Sequence, residues 1–201
     1  MVNIKNELKS ISDGAENLRF NDLDVDPQAI RAIMINEIVP SDPEQDFYGG
    51  GSAQYLETVI PLFQKAGLPV TSIEDILKMG IYLTNAVKKP KSQYTVEKSS
   101  IERSLPFLER ELSLFPHVRV IMLMGDIAKK AFNLLAKKKT GKNAVPSIPT
   151  YKIRHSEIYY GDIRVMPSYI MTGGNILIEK SKFEMAAEDI ALMAKLISER
   201  S

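Results

Sequence analysis

Three short apolar runs decide what this chain can become. They are residues 29–35 (AIRAIMI), 81–84 (IYLT) and 118–124 (VRVIMLM). Each is too short for a buried helix and too uniformly apolar for a strand with one wet face. Such runs are strands covered on both sides, which is the signature of parallel sheets. Between them lie stretches with helical periodicity. Strands alternating with helices predict an α/β fold. The expected architecture is a three-layer sandwich with a mostly parallel central sheet of about four strands flanked by helices.

The helical stretches follow from spacing. Ile4, Leu8, Ile11, Ala15 and Leu18 recur at intervals of three and four, so they share one helix face. Residues 21–27 form an acidic break. Residues 36–52 read as a long loop rich in Pro, Asp and Gly. A helix is predicted over 53–65, bent or interrupted at Pro61 and stopped near Gly67. Ser72, with Asp75 three residues on, caps a short helix. Residues 96–114 are helical with a break at Pro106. Gly125 turns the chain, and Asp126 caps a helix to about Leu135. Residues 137–150 form a basic loop. Residues 158–160 and 163–166 flank Gly161-Asp162, a two-residue hairpin signal. A last helix covers 179–199 and turns Phe183, Ala186, Ile190, Ala194 and Ile197 inward. The whole chain, 1–201, is expected to be one domain, with 1–27 as a peripheral helical extension.

Composition enters by exclusion. The chain has no Cys, so disulfides, thiolate zinc sites, iron–sulfur clusters and a cysteine nucleophile are ruled out. With two His, a His-rich metal site is not expected; neither metal nor cofactor is predicted. No apolar run approaches the roughly 20 residues of a membrane-spanning helix, and the first residues lack a signal-peptide core. A cytoplasmic monomer without a membrane partner is the expectation. The net charge of +1 hides a dipolar chain. Between Asp13 and Asp46 nine acids accompany two basic residues. Between Ile127 and Ser156 eight basic residues stand without one acid. The second stretch suits a polyanion's backbone.

In open parallel sheets, ligands collect at the carboxyl ends of the strands. After the first run come Asn36 and Glu37, then a loop carrying Phe47 and Tyr48. After the second come Asn85, Lys88 and Lys91. After the hairpin come Met166, Pro167, Ser168 and Tyr169. A carboxylate, two amides and aromatics there suit a planar polar group. An Asn amide can read one edge of a nucleobase, and an aromatic can stack on its face. Each residue also has a plainer reading. Glu37 could be a solvated loop acid or a helix cap. Asn85 could end its strand in an Asx turn, Phe47 could plug the core, and Ser168 could be an ordinary turn residue. His155 reads as structural or a phosphate contact, and His117 as a surface turn residue.

The ordered set of segments resembles the uracil-DNA glycosylase superfamily, most of all its thermophilic iron–sulfur branch. That branch has Gly-Glu-Ala-Pro-Gly after its first strand and then Pro-Phe-Val-Gly. Here stand Asn36-Glu37-Ile38-Val39-Pro40 and Asp46-Phe47-Tyr48-Gly49. Its Tyr-Ile-Thr-Asn-Val-Val-Lys is similar to Tyr82-Leu83-Thr84-Asn85-Ala86-Val87-Lys88. Its Pro-Phe-Leu-Glu helix resembles Pro106-Phe107-Leu108-Glu109. Its strand ending in Leu-Gly resembles Leu123-Met124-Gly125, and its Pro-Thr-Tyr-His-Pro-Ser is echoed by Met166-Pro167-Ser168-Tyr169. Three departures stand out. The first motif lacks both glycines and its Pro is displaced by one position. Met166 replaces a His, as in the mismatch-specific thymine branch. The cluster cysteines are absent.

The resemblance implies hydrolysis of the N-glycosidic bond of uracil or a related damaged base in DNA, single- or double-stranded. It implies Glu37, with Asn36, as catalytic, working on water at the sugar C1′. Phe47, Asn85, Tyr48 and Met166 would hold the base. Pro167, Ser168 and Tyr169 would grip DNA, and Lys88, Lys91, Lys138, Lys139, Lys142 and Arg154 would meet its backbone. The alternative is a member of the same fold, weak or inactive in catalysis, that binds nucleic acid, a nucleobase or a nucleotide. A third reading, an unrelated α/β enzyme on a phosphorylated metabolite, finds no GxGxxG or Walker A pattern.

Overall fold

Peptide groups in an apolar run must find hydrogen-bond partners away from water, and here they find one another. A computed structural model describes residues 1–11, 15–91 and 95–199. Asp13 of the acidic stretch lies outside them. The elements in order are β1 (Val2–Asn3), α1 (Ile4–Lys9), β2 (Asp24–Val25), β3 (Ala32–Ile38) and α2 (Gln54–Lys65). Next come α3 (Ile73–Lys78), β4 (Ile81–Val87), α4 (Lys98–Ser113), β5 (Val120–Met124), α5 (Asp126–Thr140) and α6 (Thr150–Ile153). The last are β6 (Ile158–Tyr160), β7 (Ile163–Ser168), α7 (Asn175–Ile178) and α8 (Lys180–Ser198). One sheet has the order β4-β3-β5-β7-β6. Its first four strands are parallel, and β6 is added antiparallel to β7 across the Gly161-Asp162 hairpin. The architecture is therefore the α/β sandwich expected, with five strands because the hairpin supplies an edge.

Side chains on a strand alternate between faces. Ala32, Met34, Leu83 and Met122 join one apolar cluster with Leu62 and Phe63 of α2 and Ile190 of α8. Ile33, Ile35, Tyr82 and Leu123 join the other with Phe107 and Leu108 of α4 and Phe132 of α5. Burial on both faces explains why the strand runs carry no polar alternation. Among the described residues no helix is long and apolar enough to cross a membrane.

Several expectations need correction. β4 runs on to Val87 and β7 to Ser168, so Asn85, Pro167 and Ser168 lie within strands and not after them. Asp126 is the first residue of α5 and not its side-chain cap. β3 starts and ends three residues later than predicted, so Asn36 and Glu37 belong to the strand and not to a loop. Neither Pro61 nor Pro106 breaks its helix. Each proline forfeits a backbone hydrogen bond. Val59 and Leu62 around the first, and Phe107 and Leu108 after the second, bury enough apolar surface to hold the helix through it. Helix α5 continues to Thr140, so residues 137–139 are its last turn and not a loop. Cations suit a helix carboxyl end, and Gly141, at φ +79°, supplies the left-handed stop. Among the described residues the N-terminal α-helix is α1, which is shorter than the predicted face. The segment around it forms a two-stranded sheet, β1 with β2, and Ile4 and Leu8 are fully buried beside α4.

The edge strand β4 would expose a row of unpaired peptide groups. Tyr48 covers part of it: its hydroxyl accepts from the Leu83 amide and donates to the Leu83 carbonyl, both at 3.0 Å. Below β4 lies an interior charge. Lys88, only 2 % exposed, pairs with the fully buried Glu111 of α4 and donates to Thr84 Oγ1 at 2.8 Å. Tyr82 and Thr84 hydroxyls donate to the other Glu111 oxygen at 2.6 and 2.8 Å. Lys88, expected at a DNA backbone, is thus an interior residue. Removing one partner of a buried pair strands the other's charge. Lys88→Met is expected to lower unfolding stability by about 3–5 kcal/mol in urea titrations. Adding Glu111→Gln should recover part of that loss, because the amide oxygen still accepts from both hydroxyls without a charge.

Candidate functional site

Parallel register levels the carboxyl ends of the strands, and there the polar residues gather. Asn36 pairs in register with Asn85, and Met124 with Ser168. Glu37 follows Asn36 and so points to the opposite face, towards α5. Its Oε1 accepts the Ile127 amide at 3.1 Å, capping the amino end of α5 from a neighbouring strand. Burial pushes its carboxyl above the ordinary value of 4.5, and the amides of Ile127 and Asp126 partly oppose the rise. Gly125 makes room for this. A Cβ there would lie 2.4 Å from Glu37 Oε1, and its φ of +111° suits glycine alone. The helix-cap reading of Glu37 therefore describes its geometry, and the cap also aims the carboxylate at open space.

That space is a cleft of about 680 Å³. Glu37, Gly125, Asp126 and Lys129 form one wall, residues 147–151 the second, and Ser168, Tyr169, Ile170 and Lys182 the third. Of the residues singled out from sequence, Glu37, Ser168 and Tyr169 meet here. Lys129, Lys182 and Tyr151 also line it. Sequence reasoning passed over them, although Lys129 and Tyr151 stand in the acid-free stretch that it did single out.

The amide pair lies apart from the cleft. Asn36 and Asn85 are 0 % and 1 % exposed. Asn36 Nδ2 donates to Asn85 Oδ1 at 2.8 Å, and Thr172 Oγ1 donates to Asn36 Oδ1 at 3.2 Å. Asn85 Nδ2 reaches both Asp46 oxygens, at 2.9 and 3.1 Å. Burial raises the Asp46 carboxyl above the usual aspartate range, against the lowering pull of the Phe47 amide and Asn85. Phe47 is fully buried against Tyr55, with ring centroids 5.3 Å apart. Met166 and Pro167 are also interior. Asp46 and Tyr48 border a separate cavity of about 310 Å³ beside Lys5 and Arg19.

Ser168 borders the cleft but is 2 % exposed, and its hydroxyl donates to Asp189 Oδ2 at 2.6 Å. A hydroxyl has one proton, so towards the cleft Ser168 offers only an acceptor. A phosphate needs a donor. Asp189 itself is held by Arg154, at 3.0 Å from Nη2, and burial raises its carboxyl. Arg154, 5 % exposed, also binds Glu188 at 2.8 Å, so it too is an interior cation and not a surface contact. Lys91, Lys138, Lys139 and Lys142 are exposed. Lys138 and Lys139 pair with Glu109. They sit at the carboxyl end of α5, about 15–20 Å along its axis from Glu37. The basic stretch is thus divided between two ends of the molecule. Among the described residues no group of three His, Cys, Asp or Glu side chains could hold a metal.

A second cleft, about 620 Å³, lies at the amino ends of the strands beside Arg31, Arg119 and Arg164. Arg31 donates to the carbonyls of Gln28 and Ile30, and Arg119 to that of Glu199, so two of those cations serve the chain's own backbone. The carboxyl-end cleft holds Glu37, fixed at a parallel strand end by helix amides, and is the candidate.

A carboxyl that is harder to ionise when folded costs stability at neutral pH. Between the ordinary value of 4.5 and the raised folded value, the folded state binds more protons, so stability falls as pH rises through that window. Glu37→Gln keeps the acceptor for the α5 amides and removes the charge. Its melting temperature is expected to equal that of the unsubstituted protein below pH 4.5, then exceed it increasingly through the window before levelling off. Thermal scans across pH would show this. Gly125→Ala should instead destabilise at every pH, by about 1–3 kcal/mol, through strained backbone and a displaced Glu37.

Residues 32–176 match the family model of the uracil DNA glycosylase superfamily. No curated protein matches the chain. The matched stretch runs from β3 into α7, so it holds Glu37, Asn85, Gly125 and Ser168 and leaves out α1, β2 and α8. Because that match spans well over half of the sequence and encloses all four parallel strand ends, the chain belongs to the uracil DNA glycosylase superfamily.

Proposed function

We propose that this protein hydrolyses the N-glycosidic bond of uracil or a related damaged base in DNA, with the reacting sugar beside Glu37. Membership of the superfamily supports a DNA glycosylase-like function in general. The observation that carries the reading is Glu37: a half-buried carboxylate, fixed by helix amides and facing a cleft with Lys129 and Lys182 on its walls. In the reaction the bond between C1′ and the base nitrogen breaks and its electron pair leaves with the base. The sugar gains oxocarbenium character, which a nearby carboxylate stabilises. Water then adds to C1′, and Glu37 takes its proton. A raised pKa suits that step, because a stronger base pulls the proton better. For Asn85 and Phe47 to meet the extruded base, the hydrogen bonds that tie Asp46 and Thr172 to the two amides must open. A damaged or mispaired base costs least to extrude.

The second reading is a superfamily member that binds nucleic acid without turnover. The saturated amide of Asn85 and the fully buried Phe47 favour it, since both are spoken for within the fold. Uracil-containing single- and double-stranded oligonucleotides, scored for abasic sites, separate the two. Under the first reading the protein makes abasic sites, and Glu37→Ala lowers the rate by about 10²-fold or more. Asn85→Ala should also slow release. Salt-sensitive binding without abasic sites supports the second reading. Release that is unchanged in Glu37→Ala overturns the role given to that carboxylate.

A further inference from the structure

Both lysines that line the Glu37 cleft are paired, and its rim is rich in exposed apolar and aromatic surface. Lys129 is paired with Asp126 at 3.1 Å, and Lys182 with Glu179. Glu37 and Asp126 balance these two lysines within the cleft itself. A duplex presents a dense, regular row of phosphates, and proteins that grip it commit many free cations to it. The two lysines on the walls of this cleft are already paired.

What the rim offers is Tyr151, 60 % exposed on the short helix α6, with Ile148 at 42 % and Ile170 at 37 % beside the same cleft. The Lys152 ammonium lies 5.6 Å from the Tyr151 ring centroid. A large aromatic left in water with a cation over it is a platform for a base, with a charge at hand for the adjoining phosphate. Bases in a duplex are already stacked and paired. Only an unpaired nucleotide can lay its face on such a ring without first paying for unstacking.

We propose that the cleft takes single-stranded nucleic acid, with Tyr151 as the stacking platform for a base next to the one at Glu37. The placement of the strand rests on the glycosylase reading of the same cleft; the preference for an unpaired strand rests on the rim alone. Tyr151 is a specificity residue in this account and takes no part in bond breaking.

The test is fluorescence anisotropy with a labelled oligothymidine strand of about 15 nucleotides, alone and annealed to its complement. The full chain is compared with Tyr151→Ala and Tyr151→Phe. The strand should bind at least about tenfold tighter than the duplex. Tyr151→Ala should weaken strand binding by about 5- to 100-fold and leave duplex binding within about twofold, whereas Tyr151→Phe keeps the strand affinity. Because Tyr151 is exposed, the variants should fold, as circular dichroism would show. Equal affinity for strand and duplex, no strand binding, or strand binding indifferent to Tyr151→Ala overturns the proposal. Base release is scored separately on uracil-containing strands with Glu37→Gln as control. Strand binding that needs Tyr151 without any release sinks the glycosylase reading alone. Release with binding indifferent to Tyr151 sinks this inference alone.

Discussion

The parallel pairing of β3 between β4 and β5 is the constraint on which the rest of the molecule depends. It runs in register, so Asn36 lies level with Asn85 and Ile35 with Leu123. Because successive side chains alternate, the level of the strand ends also decides which face each polar residue serves. Asn36 and Asn85 share the face of α2 and α8. Glu37, one residue on, turns to the face of α5 and meets that helix's free amides. A slip of one residue would exchange the two and bury a carboxylate among the apolar side chains around Met34.

Both faces of the sheet are covered, so water cannot serve the polar groups at its ends, and the protein serves them itself. Three networks result. Asp46, Asn85, Asn36 and Thr172 form one, and Lys88, Glu111, Thr84 and Tyr82 a second. Arg154, Asp189 and Ser168 form the third. Each joins a strand end to a helix or loop distant in sequence, and each is expensive to leave half-made. This is why several residues of the kind that bind ligands are occupied here within the fold. Glu37 is the exception, since its partners are two backbone amides and its side chain lines the cleft.

Much of this architecture is legible in the amino-acid order. The three apolar runs mark strands of the parallel sheet, and Gly161-Asp162 marks the hairpin. The periodicity of Phe183, Ala186 and Ile190 marks the inner face of α8. Strand ends are less legible: β3 carries on through Asn36 and Glu37 because neighbouring strands complete their hydrogen bonds, which composition does not register. The prolines mislead for a related reason. Their local cost is real, but burial around them outweighs it. Charge misleads most. Lys88 and Arg154 look like surface cations in a chain with few acids nearby, and their partners Glu111 and Asp189 are 23 and 35 residues away.

The amino-acid sequence by itself determined the layer architecture and the presence of a carboxylate, two amides and aromatics at the strand ends. Those follow from periodicity and order, which are local or pairwise properties of the chain. Only the tertiary structure decided which of those groups face an open cleft. Exposure and hydrogen-bond occupancy depend on residues brought together from distant segments: Gly125 leaving space for Glu37, Asp46 taking the Asn85 amide, and Asp189 taking the Ser168 proton.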